Sequence, residues 1–228
     1  MKACKTAILI FANSAKTDGI SKPFQSSFAI FEQLNQHIFE KVKRSGLPYF
    51  LITEREQVGT TFGERFTNAI KDIYDRGFEN VVAIGNDSPQ LKVSQLKKTA
   101  EILNTKKMIL GPAKDGGFYL LGLHKSLFDR KKLQSLPWQT PILLKSLSAL
   151  GENQNVQPFF LKILSDVDCL SDLKDLLNTF SLLPQFLKKR LLSILEERKV
   201  VFSVSKMIFN FFFKEDIYNK GSPVFKLS

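Results

Sequence analysis

Three short stretches carry the residue types that bind cations and phosphates. The first is Gly85-Asn86-Asp87-Ser88-Pro89, which directly follows the apolar run Asn80–Ile84. A carboxylate at a strand end can hold a divalent cation, and the cation can bridge to phosphate oxygens. Gly85 permits close backbone approach, and Pro89 fixes the exit of the turn. The second stretch, Gly111 to Tyr119 (GPAKDGGFY), places Asp115 ahead of the adjacent glycines Gly116 and Gly117. Backbone amides there are open to a ligand, and Asp115 suits a metal or a sugar hydroxyl. The third, Ser165 to Leu173 (SDVDCLSDL), has Asp166 and Asp168 two apart. On an extended segment both carboxylates face one way, as hard oxygen ligands for Mg²⁺ or Mn²⁺ would. Each stretch also has a purely local reading. These are an Asx turn at Asp87, an Asp-Gly hairpin at Asp115, and a helix cap supplied by Ser171 or Asp172 ahead of a helix starting near Leu173.

Elements that could position these residues alternate along the chain. Lys5–Phe11, Tyr49–Thr53, Asn80–Ile84, Lys107–Leu110 and Phe118–Leu123 are short apolar runs bounded by glycine, proline and polar residues, which predicts strands. Residues 25–45, Gly63–Arg76 and Ser94–Leu103 have helical spacing, the first with Phe28, Phe31, Leu34, Ile38 and Val42 inward. Residues 13–24 read as a loop. Strands that are apolar throughout, alternating with helices, imply a mostly parallel sheet covered on both faces. Ligands in such sheets lie beyond the carboxyl ends of the strands. The breaks after Phe11, Ile84 and Leu110 fall there.

Composition narrows the classes. With 228 residues, 43% of them hydrophobic, the chain can bury a substantial core. Two cysteines exclude a disulfide framework, and two histidines argue against a multi-histidine metal centre. No run reaches the length of a membrane span, and the N-terminal AILIF is too short for a secretory signal core. A cytoplasmic setting is expected. The formal net charge is +11, and residues 180–228 hold nine basic against four acidic residues and eight of the 21 Phe. Within that segment Leu187, Leu191, Ile194 and Leu195 form one apolar face, an amphipathic helix. The segment suits packing on the main domain, a homodimer contact or a peripheral membrane contact. Val200 to Phe213 fits strand or helix equally. No nucleic-acid motif or single-face basic stripe accompanies the charge, so nucleic acid is not an expected partner. Cys169 lacks a reactive-thiol setting and reads as a small, partly buried residue. His124 reads as a hydrogen-bonded strand-end residue, and His37 as structural.

Several segments also occur in the order of one family: Gln57-Val58-Gly59 with Gly63-Glu64-Arg65, IGNDSPQL (84–91), LGPAKDGGFYLLGL (110–123), Pro137-Trp138-Gln139-Thr140 and DVDCLSDL (166–173). Over roughly residues 5–178 the chain resembles the bacterial glycosyltransferase-A-like family once catalogued as a domain of unknown function. Some members are arsenosugar-biosynthesis glycosyltransferases of the nucleotide-diphospho-sugar transferase superfamily. The resemblance implies a three-layer α/β/α sandwich with a mixed, mainly parallel, Rossmann-like sheet in residues 1–178, and a C-terminal helical extension in 179–228. It implies a transferase that uses a nucleotide-sugar donor, a small-molecule or lipid acceptor, and Mg²⁺ or Mn²⁺ held by Asp87 and Asp168. Asp115 matches the acceptor- or sugar-contacting aspartate. Lys22, Arg65, Gly85, Ser88, Gly116, Gly117, Trp138 and Thr140 are the implied nucleotide- and sugar-binding residues. Two departures stand out. Phe24 occupies the position of an arginine in the first loop, and Cys169-Leu170 replace Thr-Pro in the late motif. An arginine fork grips phosphate in a way lysine does not. The same fold also serves nucleotidyltransferases, although residues 13–24 lack the glycine- and basic-rich triphosphate loop of such enzymes, and non-catalytic binding proteins.

Overall fold

The computed structural model describes residues 5–24, 26–179 and 183–196. The chain begins with β1 (Thr6–Phe11), α1 (Ala15–Ser21), α2 (Ser27–Ser45), β2 (Tyr49–Ile52), α3 (Phe62–Asp75) and β3 (Asn80–Ile84). It continues with α4 (Val93–Ile102), β4 (Met108–Pro112), β5 (Phe118–His124), α5 (Arg130–Gln134), α6 (Leu143–Glu152), β6 (Phe159–Phe160) and α7 (Leu170–Asn178). Residues 185–196 form a further helix, α8. The six strands make one sheet in the order β2-β1-β3-β5-β4-β6. β1 pairs in parallel with β2 and β3, and β4 with β6, while β5 is antiparallel to both β3 and β4.

Alternate residues of the central strands feed two separate cores, so these strands are apolar throughout. Leu9, Phe11, Ala83, Leu110 and Leu121 face Phe66, Ile70 and Ile73 of α3 and Leu147 of α6. Ile8, Ile10, Val82, Ile84 and Ile109 face Ile38 and Val42 of α2 and Leu96 of α4. The result is the three-layer α/β/α sandwich with a mixed, mainly parallel sheet. A third cluster joins Ile30, Phe31 and Leu34 of α2 to Leu173 and Leu177 of α7 and to Leu183, Leu187 and Leu191. The start of the basic extension thus packs on the domain through the apolar face of α8; Val200–Phe213 lies outside the described residues.

Four expectations need correction. Residues 14–21 are not loop but the capped helix α1, with the Ser14 side chain accepting from the Thr17 N–H. Phe28 is not inward: it is 53% exposed, and the buried row of α2 is Ile30, Phe31, Leu34, Ile38 and Val42. α7 starts at Leu170 rather than near Leu173, because the Asp172 carboxylate accepts from the backbone N–H groups of Asp168 (3.0 Å) and Cys169 (2.9 Å). Cys169 is exposed, not partly buried. It stands at the helix N-cap, with Sγ 2.9 Å from the Ser171 hydroxyl.

Candidate active site

The carboxyl ends of β1 and β3 open into a cleft of about 640 Å³. Its lining includes Asn13, Asp18 and Lys22 from the first connection, Gly85, Asn86 and Asp87 after β3, and Asp115 and Gly117 from the β4–β5 hairpin. Arg65, Trp138, Thr140 and Asp166 also line it. The late segment reaches the cleft through backbone bonds. Lys114 N–H donates to Leu164 O (3.1 Å), and Val167 N–H donates to Asp87 O (3.0 Å). Val167 is fully buried, which turns its neighbours Asp166 and Asp168 outward.

Lys22 is the electrostatic centre. Its ammonium lies 3.3 Å from Asp87 Oδ2 and 2.6 Å from Asp168 Oδ1. Burial works against its charge, but Asp87 and Asp168 outweigh that and hold its pKa above the ordinary lysine value. Burial raises the pKa of Asp87; Lys22 opposes the rise and Asp168 adds to it. Burial, reinforced by the Asp87 charge, lifts Asp166 to about 7 even though it accepts a hydrogen bond from the Ser88 hydroxyl. Two carboxylates that converge on one ammonium can also converge on one divalent ion. Among the described residues no group of three histidine, cysteine or acidic side chains is arranged to hold a metal. Two carboxylates alone could hold a divalent cation only if water or a ligand supplied the remaining oxygens. Asp168, 54% exposed at its side chain, is free to exchange partners.

Other expected residues divide by role. Arg65 lines the cleft, tethered by Nε to Gln57 Oε1 (3.2 Å) and by its guanidinium to Thr60 O (3.1 Å). Asp115 keeps one oxygen on the Gly117 N–H (2.9 Å) and is otherwise exposed, so the hairpin turn and the cleft position coincide. Gly116 has φ of +90°, and a Cβ there would lie 2.3 Å from Pro141 O. Ser88 is buried behind Asp166 and does not line the cleft. Trp138 packs on Phe62, Phe66 and Phe118, and its indole N–H donates to Leu133 O (2.8 Å). It fits only because residue 63 is glycine: a Cβ there would lie 2.5 Å from the ring. Thr140 donates to Pro137 O (2.6 Å), closing the turn that carries Trp138. His124 sits at the other end of the sheet, its Nδ1 beside Ser126 (2.9 Å).

Sequence reasoning missed a polar network beneath the cleft. Asp18, only 3% exposed, accepts from Asn86 Nδ2 (2.7 Å) and Asn13 Nδ2 (3.1 Å), and Asn86 also donates to Asn35 Oδ1 (2.6 Å). It locks the first connection to the turn that carries Asp87. Glu54 pins the same connection from outside, accepting from Ser14 N–H (2.7 Å), Ser14 Oγ (2.6 Å) and Thr17 Oγ1 (2.9 Å). Burial alone would raise its pKa, but the Ser14 and Thr17 bonds together outweigh that and hold it at about 2. The only sequence signal was the density of Asn, Ser, Thr and Asp in residues 13–18.

The fold of this chain is one that a protein of known structure shares. Residues 36–140 match the model of a family described as an uncharacterized protein conserved in bacteria, DUF2064. Among solved structures, the chain is similar to a proposed nucleotide-diphospho-sugar transferase from Desulfovibrio desulfuricans G20. That match has a TM-score of 0.69 at 22% identity and covers 78% of this chain and 88% of the other. A weaker likeness links it to Rv0371c from Mycobacterium tuberculosis H37Rv, with a TM-score of 0.47, 14% identity and coverage of 77% and 98%. No curated protein matches the sequence. Among the described residues no helix is long and apolar enough to cross a membrane.

Proposed function

We propose that this protein is a metal-dependent glycosyltransferase that moves a sugar from a nucleotide-diphospho-sugar to an acceptor hydroxyl. One observation carries the reading: Asp87, which lines the cleft beyond the carboxyl ends of β1 and β3, and Asp168, which does not line it, converge on a single cation, the Lys22 ammonium of the cleft. In this reading the two aspartates hold Mg²⁺ or Mn²⁺ against the donor diphosphate. Bound there, a divalent ion neutralises charge on the departing nucleoside diphosphate.

The chain's own residues do the rest. Lys22, beside both carboxylates, would offer the phosphates a point charge. Arg65, already oriented by Gln57 and Thr60, supplies a second cation on the cleft wall. Asp115 receives the hydrogen of the acceptor or sugar hydroxyl. As the acceptor oxygen bonds to the sugar carbon, the bond from that carbon to the diphosphate oxygen breaks, and its electron pair leaves with the nucleotide. The apolar wall of Phe62, Phe66, Phe118 and Trp138 shields one side from water. The first connection favours this reading over nucleotidyl transfer, because it is a capped helix with a buried Asp18 rather than a glycine-rich triphosphate loop.

The test is thermal shift and calorimetry with a panel of nucleotide sugars and nucleoside triphosphates, with and without Mn²⁺. Mn²⁺-dependent stabilisation by one nucleoside-diphosphate sugar is expected. Asp87→Asn should weaken it by about a hundredfold, the scale for losing one partner of a desolvated charge pair. Unchanged binding in that variant overturns the assignment, and stabilisation by triphosphates alone transfers it to a nucleotidyltransferase.

A further inference from the structure

A second cavity, of about 450 Å³, lies against the reverse side of the Asp87-bearing turn. Its walls are α2, the start of α4 and the Leu183–Phe186 entry to α8. That volume falls within the range of small-molecule pockets. Three cations line it: Lys41, Arg44 and Lys92. None of them has an ion pair with a carboxylate among the described residues. The one acidic residue on the wall, Glu40, has its carboxylate hydrogen-bonded by Gln36 Nε2 (3.0 Å). Lys41 gives one of its ammonium hydrogens to Pro89 O (2.6 Å), leaving two others. Burial, aided by the charges of Arg44 and Lys92, depresses its pKa to about 8, as expected for a cation among cations with no counter-charge.

Two further features point to an anion. The N-terminus of α4, at Val93, ends on this cavity; Gln95 N–H is taken by Lys92 O (3.0 Å), which leaves the N–H groups of Val93 and Ser94 without a helical acceptor. His37, only 5% exposed, also lines the cavity; its Nε2 makes no hydrogen bond of good geometry among the described residues, although the nearby Pro89 carbonyl favours its charge, and burial together with Lys41 draws its pKa down to about 4. A buried polar atom left unpaired is uncommon enough to need an explanation. The ring of Phe186 packs edge-on against His37 at 5.9 Å, so the C-terminal extension contributes a wall.

We propose that this cavity is a second ligand site, taking the phosphomonoester group of a small metabolite or of a lipid headgroup, bound by Lys41, Arg44 and Lys92 over the N-terminus of α4. The site is separate from the donor cleft and stands whether or not the transferase reading does. The metal-free protein is titrated calorimetrically with glycerol 3-phosphate and with glycerol. In parallel it is sedimented with phosphatidylcholine vesicles, with and without phosphatidic acid. Binding of glycerol 3-phosphate but not glycerol is expected, weakened at least about tenfold by Lys41→Met/Arg44→Gln and unchanged by Lys22→Met. If only vesicles containing phosphatidic acid bind, and the double variant loses that binding, the lipid is the source of the phosphate. Arg44→Gln alone, at an exposed position, keeps the test decisive if the double variant does not fold. Three outcomes overturn the proposal: no binding of either phosphate, binding indifferent to the Lys41 and Arg44 changes, or binding lost in Lys22→Met.

Discussion

Two lysines touch the same five-residue turn and live under opposite conditions. Lys22 meets it at Asp87, between two carboxylates; Lys41 meets it at the Pro89 carbonyl, among cations. The neighbours of Lys22 hold its pKa above the ordinary lysine value, while those of Lys41, together with burial, pull it down to about 8. The contrast shows that burial does not by itself say what a charge is for. In the cleft the ammonium is matched by two carboxylates, which under the proposed function exchange it for another cation. The reverse cavity arrives with cations unmatched and awaiting a partner.

The comparison can be broken most sharply at Lys22. Lys22→Met leaves Asp87 and Asp168 facing each other without a counter-charge, the kind of loss that costs about 3 kcal/mol when a buried pair is cut. A discount for the partial exposure of Asp168 brings this to about 1–2 kcal/mol. The expected outcome is a lower Tm in chelator, restored by Mn²⁺, and Mn²⁺ binding in calorimetry that is tighter than wild type in the absence of nucleotide. Equal Mn²⁺ affinity in both proteins would mean that the ammonium does not compete for the carboxylates.

Lys41→Met should behave differently. It gives up the Pro89 bond but relieves repulsion from Arg44 and Lys92, so stability near pH 7 should change by less than about 1 kcal/mol. The pH dependence carries a sign. A lysine whose folded pKa is about 8, below its ordinary 10.5, binds fewer protons folded than unfolded between those values. Wild-type stability therefore gains from this group as pH rises from 8 to 10.5, and Lys41→Met should lack that gain. Lys22, with a raised pKa, contributes stability below 10.5 that is lost only as pH rises through its higher folded value. Denaturant melts of both variants across pH 8–11 separate the two signs.

A third test falls on Glu54, which tethers the connection carrying Lys22. Its folded pKa of about 2 lies below the ordinary 4.5, so its contribution is present above 4.5 and lost as pH falls through 2. Glu54→Gln should lower stability by about 1 kcal/mol at pH 7, the scale of a partly solvated charged hydrogen bond, and the gap should close in acid. A gap independent of pH would assign the effect to side-chain shape instead.

How much of this was legible depends on where each residue's partners lie in the chain. The strand Asn80–Ile84 was readable to its ends, because an apolar run between polar breaks needs no distant information. The mixed sheet, helices α2, α3 and α4 and the convergence of Asp87, Asp115 and Asp168 at one end were readable from order and resemblance, whereas α5 and α6 were not read at all. α1 was not: its Asp18 turns inward to Asn13 and Asn86, which inverts the usual apolar-in pattern and mimics a loop. β6 has two residues and is set by its neighbour β4. Cys169 read as partly buried because cysteine usually is, but an N-cap position places it at the surface. The cation-lined cavity was invisible because Lys41, Lys92 and Phe186 come together only through packing.

The antiparallel course of β5 has a kinetic consequence. Because β5 runs back from the cleft, the chain leaves the sheet at the far end and returns along the flank before Val167 can bond to Asp87. Closing so long a loop is entropically costly, and non-local contacts of this kind slow folding. Local pairings such as the β4–β5 hairpin can form early, whereas Asp168 meets Asp87 only after most of the domain has been made. On a ribosome, the protein would have its scaffold before these two aspartates met.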